Sequence, residues 1–283
     1  MSWDGDQDGD LDLIVGQRAI PFGYGIPVGV QFWQNDGKGN FTDQSATWGK
    51  DFAALGMLTD GALADLDGNG KPELVLAGEW MPIRIFTWNS GSWTETTTQF
   101  GLENTSGFWK RLYLGDINGD GKIDLLAGNA GTNSRLRSSS TKQLRLAIND
   151  FDQNGKNDIV LTYYNYGIQY PLRGFSCSAQ QVPEIKEKFM KYDVFASLDV
   201  NNVYGDLLNN SLNYQATYFS SAILTNLGSG DFMINKLPVR AQFSSVNDFL
   251  VGDYNKDDIE KIKYIYNFKG LFTNLSKLHS RFG

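Results

Sequence analysis

Four short segments of the chain carry carboxylates on alternate residues, a spacing that can hold a divalent cation. Each has Asp or Asn at positions one, three and five, Gly at position six and an acid at position nine. The segments are residues 4–12, 65–73, 116–124 and 150–158, called loops one to four below. Ca²⁺ takes about six to eight oxygen ligands at flexible distances, and glycine at position six permits a sharp turn. The pattern therefore predicts calcium coordination.

The predicted ligands are the side chains at positions one, three, five and nine and the backbone carbonyl at position seven. They are Asp4, Asp6, Asp8, Asp10 and Asp12; Asp65, Asp67, Asn69, Lys71 and Glu73; Asp116, Asn118, Asp120, Lys122 and Asp124; and Asp150, Asp152, Asn154, Lys156 and Asp158. The ligand side chains carry a formal charge of −4 in loop one and −3 in each other loop. Such charges repel strongly without a cation, so we expect about three to four Ca²⁺ ions that order the loops.

A fifth copy of the pattern begins at Asp253, Asn255 and Asp257 and then fails. Asp258 stands where glycine is expected, and Lys261 stands where the closing acid belongs. The chain also begins only three residues before loop one. We therefore expect a fragment with an atypical tail, residues 256–283, that is altered or disordered, and an export signal that lies outside this sequence.

The runs that flank the loops are short, apolar and partly β-branched, which is typical of strands. Between the loops lie hairpins that turn on glycine, at residues 32–41, 88–93 and 224–232. A metal-loop hairpin followed by a glycine-turn hairpin makes four strands, which is one propeller blade. The prediction is an all-β fold: a β-propeller, complete or incomplete, over residues 1–255. It has about four to five four-stranded antiparallel blades and a small helical insertion at about residues 178–205.

Two other interpretations of the loops compete with this one. An EF-hand shares the early spacing but closes with Glu at position twelve and has helical flanks. Here the acid closes at position nine and strands are predicted to follow. The other alternative is a set of Asp/Gly turns that bind no metal, and the sequence leaves it open.

The loops resemble FG-GAP/VCBS repeats, which occur in the propellers of integrin α-chains and in many secreted bacterial proteins. The chain also resembles bacterial relatives of cartilage acidic protein, of the kind found in Bacteroidetes. That likeness covers about residues 3 to 255 and includes GEWMPI at 78–83, TSGFW at 105–109, GNAGTNS at 128–134, LTYYN at 161–165 and QFSSVN at 242–247. The resemblance implies an exported propeller, extracellular, periplasmic or at the cell surface, with calcium in its loops. It implies no reaction.

Composition excludes several classes of function. The net charge is −7, and fourteen of the 32 acids lie in the four loops. No basic stripe is left to neutralise nucleic-acid phosphates, and no apolar run is long enough to span a membrane. One cysteine, Cys177, and one histidine, His279, exclude an intrachain disulfide and nearly exclude a histidine-based zinc site or a catalytic triad. We interpret Cys177 as a buried or loop thiol and not as a nucleophile.

The resulting prediction is a protein- or glycan-binding scaffold without catalysis, whose ligand the sequence does not identify. The main alternative is a polysaccharide lyase or hydrolase that uses two carboxylates. Its candidate residues are Glu79 and Glu103 with Arg84, Lys110 or Arg111, and Trp80, Trp88, Trp93 and Trp109 could stack on sugar rings. Packing between blades is the favoured role for these tryptophans. A second alternative is a purely structural spacer module that binds no partner.

Overall fold

The fold is described from a computed structural model, which covers residues 1–134, 136–228, 230–254 and 261–266. Asn255, Asp257, Asp258, His279 and most of the predicted tail lie outside these residues. Among the described residues, none of the helices combines the length and the apolar composition that a membrane crossing requires.

The first sheet is a four-stranded antiparallel meander. Its strands follow one another in chain order: β1 (Ser2–Trp3), β2 (Asp12–Gly16), β3 (Val30–Asn35) and β4 (Phe41–Asp43). Loop one joins β1 to β2, and the predicted glycine turn joins β3 to β4. A short helix, α1 (Ser45–Trp48), follows. This is the predicted blade, with its entry strand only two residues long.

The second sheet repeats this arrangement around loop two. It contains β5 (Met57–Ala64), β6 (Glu73–Met81), β7 (Arg84–Asn89) and β8 (Ser92–Glu95), and β9 (Gly107–Phe108) pairs with the far end of β6. All nine residues of β6 are buried, because this strand is covered by neighbouring sheets on both faces. Its near-continuous apolar run is the sequence signature of a strand in that position.

The third sheet begins with β10 (Arg111–Gly115) and β11 (Asp124–Gly128), which flank loop three, and the chain then leaves it. The excursion forms a separate sheet from β12 (Leu144–Asn149), β13 (Asp158–Asn165), β14 (Ile168–Pro171) and β15 (Leu212–Ala216). Between β14 and β15 lie four short helices: α2 (Phe175–Gln181), α3 (Glu184–Phe189), α4 (Tyr192–Ala196) and α5 (Val200–Tyr204). The chain returns as β16 (Ala222–Asn226) and β17 (Phe232–Lys236), which complete the order β10-β11-β16-β17.

Loop four lies in this inserted sheet and not in a successive blade. It joins β12 to β13, and β15 pairs with the other edge of β12, giving the order β14-β13-β12-β15. The short interval between the starts of loops three and four follows from this position. The inserted sheet contacts the connection between β2 and β3 at Gly25, whose carbonyl accepts a 2.8 Å hydrogen bond from the Tyr214 hydroxyl.

The last described hairpin pairs β18 (Val246–Gly252) with β19 (Lys261–Tyr266). The predicted tail thus contains a strand in its described part. Successive sheets bury apolar side chains against one another: Phe32, Phe52 and Phe86 between the first and second, Ile85, Trp109 and Leu125 between the second and third, and Leu126, Val246 and Phe249 between the third and the last hairpin. Four-stranded sheets stacked face to face in chain order confirm the predicted all-β, propeller-like fold.

Candidate metal centres

The four complete loops close the same kind of β-hairpin, and the described residues on either side of the incomplete fifth copy pair in the same register. The residue before position one pairs with position nine in each case: Trp3 with Asp12, Ala64 with Glu73, Gly115 with Asp124, Asn149 with Asp158 and Gly252 with Lys261. Strands flank each of the four complete loops, so the helices of an EF-hand are not present around them. The register also places the Lys261 backbone where an acid closes the other loops.

The carboxylate at position one organises the backbone of each loop. In loop two, Asp65 accepts hydrogen bonds from the N–H groups of Gly68 (2.8 Å), Asn69 (3.1 Å) and Gly70 (2.8 Å). Asp116 in loop three accepts the equivalent three, and Asp150 in loop four accepts two of them. The acids and amides at positions three and five each accept an N–H two residues later. These bonds point the side-chain oxygens inward over the turn.

Position four, which the sequence pattern leaves unspecified, shares the left-handed conformation of the position-six glycine. Its φ is +77° at Gly68 and +79° at Gly119, but the same backbone is adopted by Gln7 (+64°) and Gln153 (+57°). A residue with a side chain is strained there. Glycine recurs at position four in two of the four loops, and this recurrence was the sequence signal that position four is left-handed.

Opposite substitutions at this position have opposite expected effects on stability. Gly68→Ala lowers the free energy of unfolding by about 1 kcal/mol because it places a Cβ on a left-handed residue. Gln153→Gly raises it by up to about 1 kcal/mol for the converse reason. Urea unfolding of both variants under the same conditions checks this. A loss of stability in both, or in neither, contradicts the assignment of position four.

The acid at position nine is buried in every complete loop and ties the turn to the sheet. One oxygen of each accepts the N–H of position two, at 2.7 Å from Gly5, 2.8 Å from Leu66, 3.2 Å from Ile117 and 3.1 Å from Phe151. In loops one and three the second oxygen accepts an N–H from the neighbouring strand, at 2.8 Å from Asn35 and 2.9 Å from Asn226. The closing acid therefore joins the loop to the third strand of its blade.

Loop two contains a buried carboxylate oxygen without a protein partner. Glu73 is 0% exposed, and its Oε1 accepts no hydrogen bond. Burial raises the pKa of Glu73 to about 6; the Leu66 N–H offsets part of that rise, and the carboxylates of Asp67 and Asp65 add to it. Asp4 Oδ1 and Asp10 Oδ1 in loop one are also buried without partners. Unsatisfied buried oxygens are costly, and a cation at the loop centre would satisfy them.

Three loops bring three carboxylates together. One oxygen from each member lies within 4.8 Å of the others in Asp4, Asp6 and Asp8, in Asp65, Asp67 and Glu73, and in Asp150, Asp152 and Asp158. Loop three has Asn118 at position three in place of an acid, and no such trio is found in this loop among the described residues. The residues of loops one, two and four fit a divalent cation best, with backbone carbonyls at Asp10, Lys71 and Lys156 available to complete a shell.

Among the charged residues considered for catalysis, only Glu79 and Lys110 pair with each other. Lys110 binds Glu79, whereas Arg84 binds Glu95 and Arg111 lies between Asp60 and Asp248. Glu103 is exposed and accepts a 3.0 Å hydrogen bond from Asn104. Trp80, Trp93 and Trp109 are buried in the core and Trp88 packs against it, while Cys177 is exposed on α2. The sequence reasoning missed Arg18 and Tyr24, which also bind Glu79.

Comparison with known proteins identifies two matches to the family described as FG-GAP-like repeat, over residues 4–76 and 65–127. Each match begins at position one of a loop and ends in the strand after the next loop. Repeats of this kind suggest an adhesion or binding scaffold. No curated protein and no solved structure matches the chain. The finer likeness to bacterial relatives of cartilage acidic protein stays a prediction.

Proposed function

Because the chain carries FG-GAP-like repeats, we propose that it is a calcium-stabilised, extracellular binding scaffold without catalysis. The observation that carries the calcium proposal is the partnerless Glu73 oxygen, which is buried beside the carboxylates of Asp65 and Asp67. A Ca²⁺ ion there would supply the missing partner and would offset the repulsion between the three charges. In this proposal Asp67, Asn69 and the Lys71 carbonyl complete the oxygen shell.

In this proposal the ion stabilises the fold, because the loops that would bind it connect neighbouring strands. Each complete loop joins two neighbouring strands, and in loops one and three the closing acid also holds the next strand of the blade. A cation that fixes the loop would thereby fix the hairpin at one rim of the propeller. Where only the folded chain presents the full ligand set, binding adds directly to stability.

The electrostatics of Glu79 support a binding role over acid–base catalysis. Burial alone would raise the pKa of Glu79, but Lys110, Arg18 and the Tyr24 hydroxyl outweigh it and hold that pKa below its ordinary value. A general acid at neutral pH needs a raised pKa. In the proposal Glu79 is a permanent anion that positions its neighbours. The lyase or hydrolase and the purely structural spacer remain alternatives that differ in measurable ways.

Metal content and turnover together test the proposal. We expect native mass spectrometry to find about three to four Ca²⁺ ions per chain, with one fewer in Glu73→Gln. The control Glu103→Gln, which removes an exposed carboxylate outside the loops, should keep them all. A protein that binds no calcium contradicts the metal proposal. Turnover of a glycan that Glu79→Gln abolishes would favour the enzyme, and a glycan array without any bound ligand would favour the spacer.

A further inference from the structure

A cluster of charged side chains lies at the end of β6 that is remote from loop two. Its centre is Glu79, whose side chain is 4% exposed and which lies six residues, or about 20 Å, along the strand from Glu73. Glu79 Oε1 accepts a 2.8 Å hydrogen bond from Arg18 Nη2 and another from Lys110 Nζ. Oε2 accepts a 3.0 Å hydrogen bond from the Tyr24 hydroxyl. Residues from three separate segments thus meet on one buried carboxylate.

The cluster carries a surplus positive charge. Among the described residues, Glu79 is the only acid that forms an ion pair with Arg18 or Lys110. Burial and the Glu79 carboxylate raise the pKa of Tyr24 to about 12, so its hydroxyl stays neutral. Two cations therefore face one anion. The Arg18 side chain is 59% exposed and reaches Glu79 through one of its nitrogens, which leaves the rest of the guanidinium facing solvent.

Trp80 and its contacts hold Tyr24 in place beside Glu79. Trp80, next to Glu79, is buried, and its φ of +62° is unusual for an aromatic residue. Its Nε1 donates a 3.0 Å hydrogen bond to the Tyr24 hydroxyl, and its ring packs on Phe108 with centroids 4.6 Å apart. Strained residues fixed by their surroundings concentrate at functional sites.

We propose that Arg18 and Lys110, positioned by Glu79, bind the carboxylate of an acidic sugar in a glycan; this rests on the binding role proposed above. A guanidinium matches a carboxylate with two parallel hydrogen bonds. The turn between Arg18 and Tyr24 also carries Phe22 at its tip, fully exposed. Phe22 lies four residues after Arg18, and in this proposal its ring offers an apolar face to the sugar ring while the cations bind the carboxylate.

The backbone around the cluster favours a sugar over an acidic peptide. Extended peptides gain affinity by pairing with a free strand edge. Here the N–H of Gly23 donates to Ile20 (3.0 Å), that of Ile26 to Gly23 (3.1 Å) and that of Lys110 to Gly128 (2.8 Å). These three N–H groups are already bonded, so in this proposal the side chains of the cluster carry the recognition, which suits a ligand without a peptide backbone.

Isothermal titration calorimetry with trigalacturonate as the acidic sugar tests the proposal. We expect the wild-type chain to bind it and not to bind maltotriose, which lacks carboxylates. Arg18→Gln should weaken binding about tenfold or more through loss of a charged hydrogen-bond pair. Lys38→Gln, which removes an exposed cation in the β3–β4 turn, should leave the affinity unchanged. Because Arg18 is mostly exposed, its variant should melt close to the wild type.

Several results would overturn the proposal. These are no binding by the wild type, equal binding by Arg18→Gln, or preference for a glutamate-rich peptide of equal charge. If Arg18→Gln does not fold, Lys110→Met tests the same site. Calcium titrations of the same samples separate this proposal from the previous one: calcium uptake without trigalacturonate binding refutes only the sugar site, and Arg18-dependent binding without calcium uptake refutes only the calcium role.

Discussion

Removal of calcium by a chelator is expected to lower the midpoint of thermal unfolding by about 5 °C or more for each loop that loses an ion. A ligand that binds only the folded state at about 100 times its Kd contributes about 2.7 kcal/mol. For a domain near this size, about 1 kcal/mol corresponds to a shift of about 2–4 °C. Loops one, two and four each gather three carboxylates and close different hairpins, so their contributions should add.

Differential scanning calorimetry with excess calcium and with excess chelator makes this measurement. Asp65→Asn should reduce the calcium-dependent shift, since Asp65 orders loop two and is a predicted ligand. Magnesium should replace calcium poorly because it demands shorter bonds in octahedral geometry. Glu103→Gln is the matched control, and its unfolding midpoint should show the same calcium-dependent shift as that of the wild type. An unfolding midpoint that chelator does not change would contradict calcium binding by the loops. The interpretation as Asp/Gly turns that bind no metal would then stand.

Truncation of Trp109 is expected to cost about 3–5 kcal/mol of unfolding free energy. Its side chain is 0% exposed between the second and third sheets. The ring stacks on Tyr218 with centroids 5.7 Å apart, and Nε1 donates a 2.9 Å hydrogen bond to the Thr105 carbonyl. Trp109→Ala removes this contact area and leaves a cavity that the strands cannot close.

Chemical unfolding of Trp109→Ala measures this cost. The control, Tyr166→Ala, truncates an aromatic residue that is 98% exposed at the β13–β14 turn, and its stability should match that of the wild type. A Trp109→Ala protein with unchanged stability and weakened glycan binding would contradict the core role. It would restore the interpretation in which the tryptophans stack on sugars.

The local parts of the fold could be predicted because they are written in short sequence patterns. The loop spacing, the apolar runs and the glycine turns each fall within about a dozen residues, and all three predicted glycine-turn hairpins occur as β3–β4, β7–β8 and β16–β17. The helices, from residue 175 to residue 204, also fall close to the helical insertion predicted at about residues 178–205. Calcium, the ligand set and the absence of catalysis stay predictions.

The long-range parts could not be predicted from these patterns. Leu126 of β11 pairs with Ile223 of β16, and nothing near residue 128 marks the departure of the chain or predicts its return at residue 222. The cluster around Glu79 could not be predicted for the same reason, because Arg18 and Glu79 are 61 residues apart in sequence. Periodicity identifies a strand and its buried face, but it does not identify which distant strand lies beside it.

The contact at Gly25 makes two distant parts of the protein mechanically dependent on each other. A Cβ at residue 25, whose φ is +87°, would lie 2.0 Å from Ile148 Cδ1, and Ile148 stands two residues before Asp150 in the strand that feeds loop four. The backbone of the segment that carries Arg18 and Tyr24 is therefore packed directly against the strand that leads into loop four. A larger residue at position 25 would push the segment that carries Arg18 and Tyr24 away from the strand that leads into loop four.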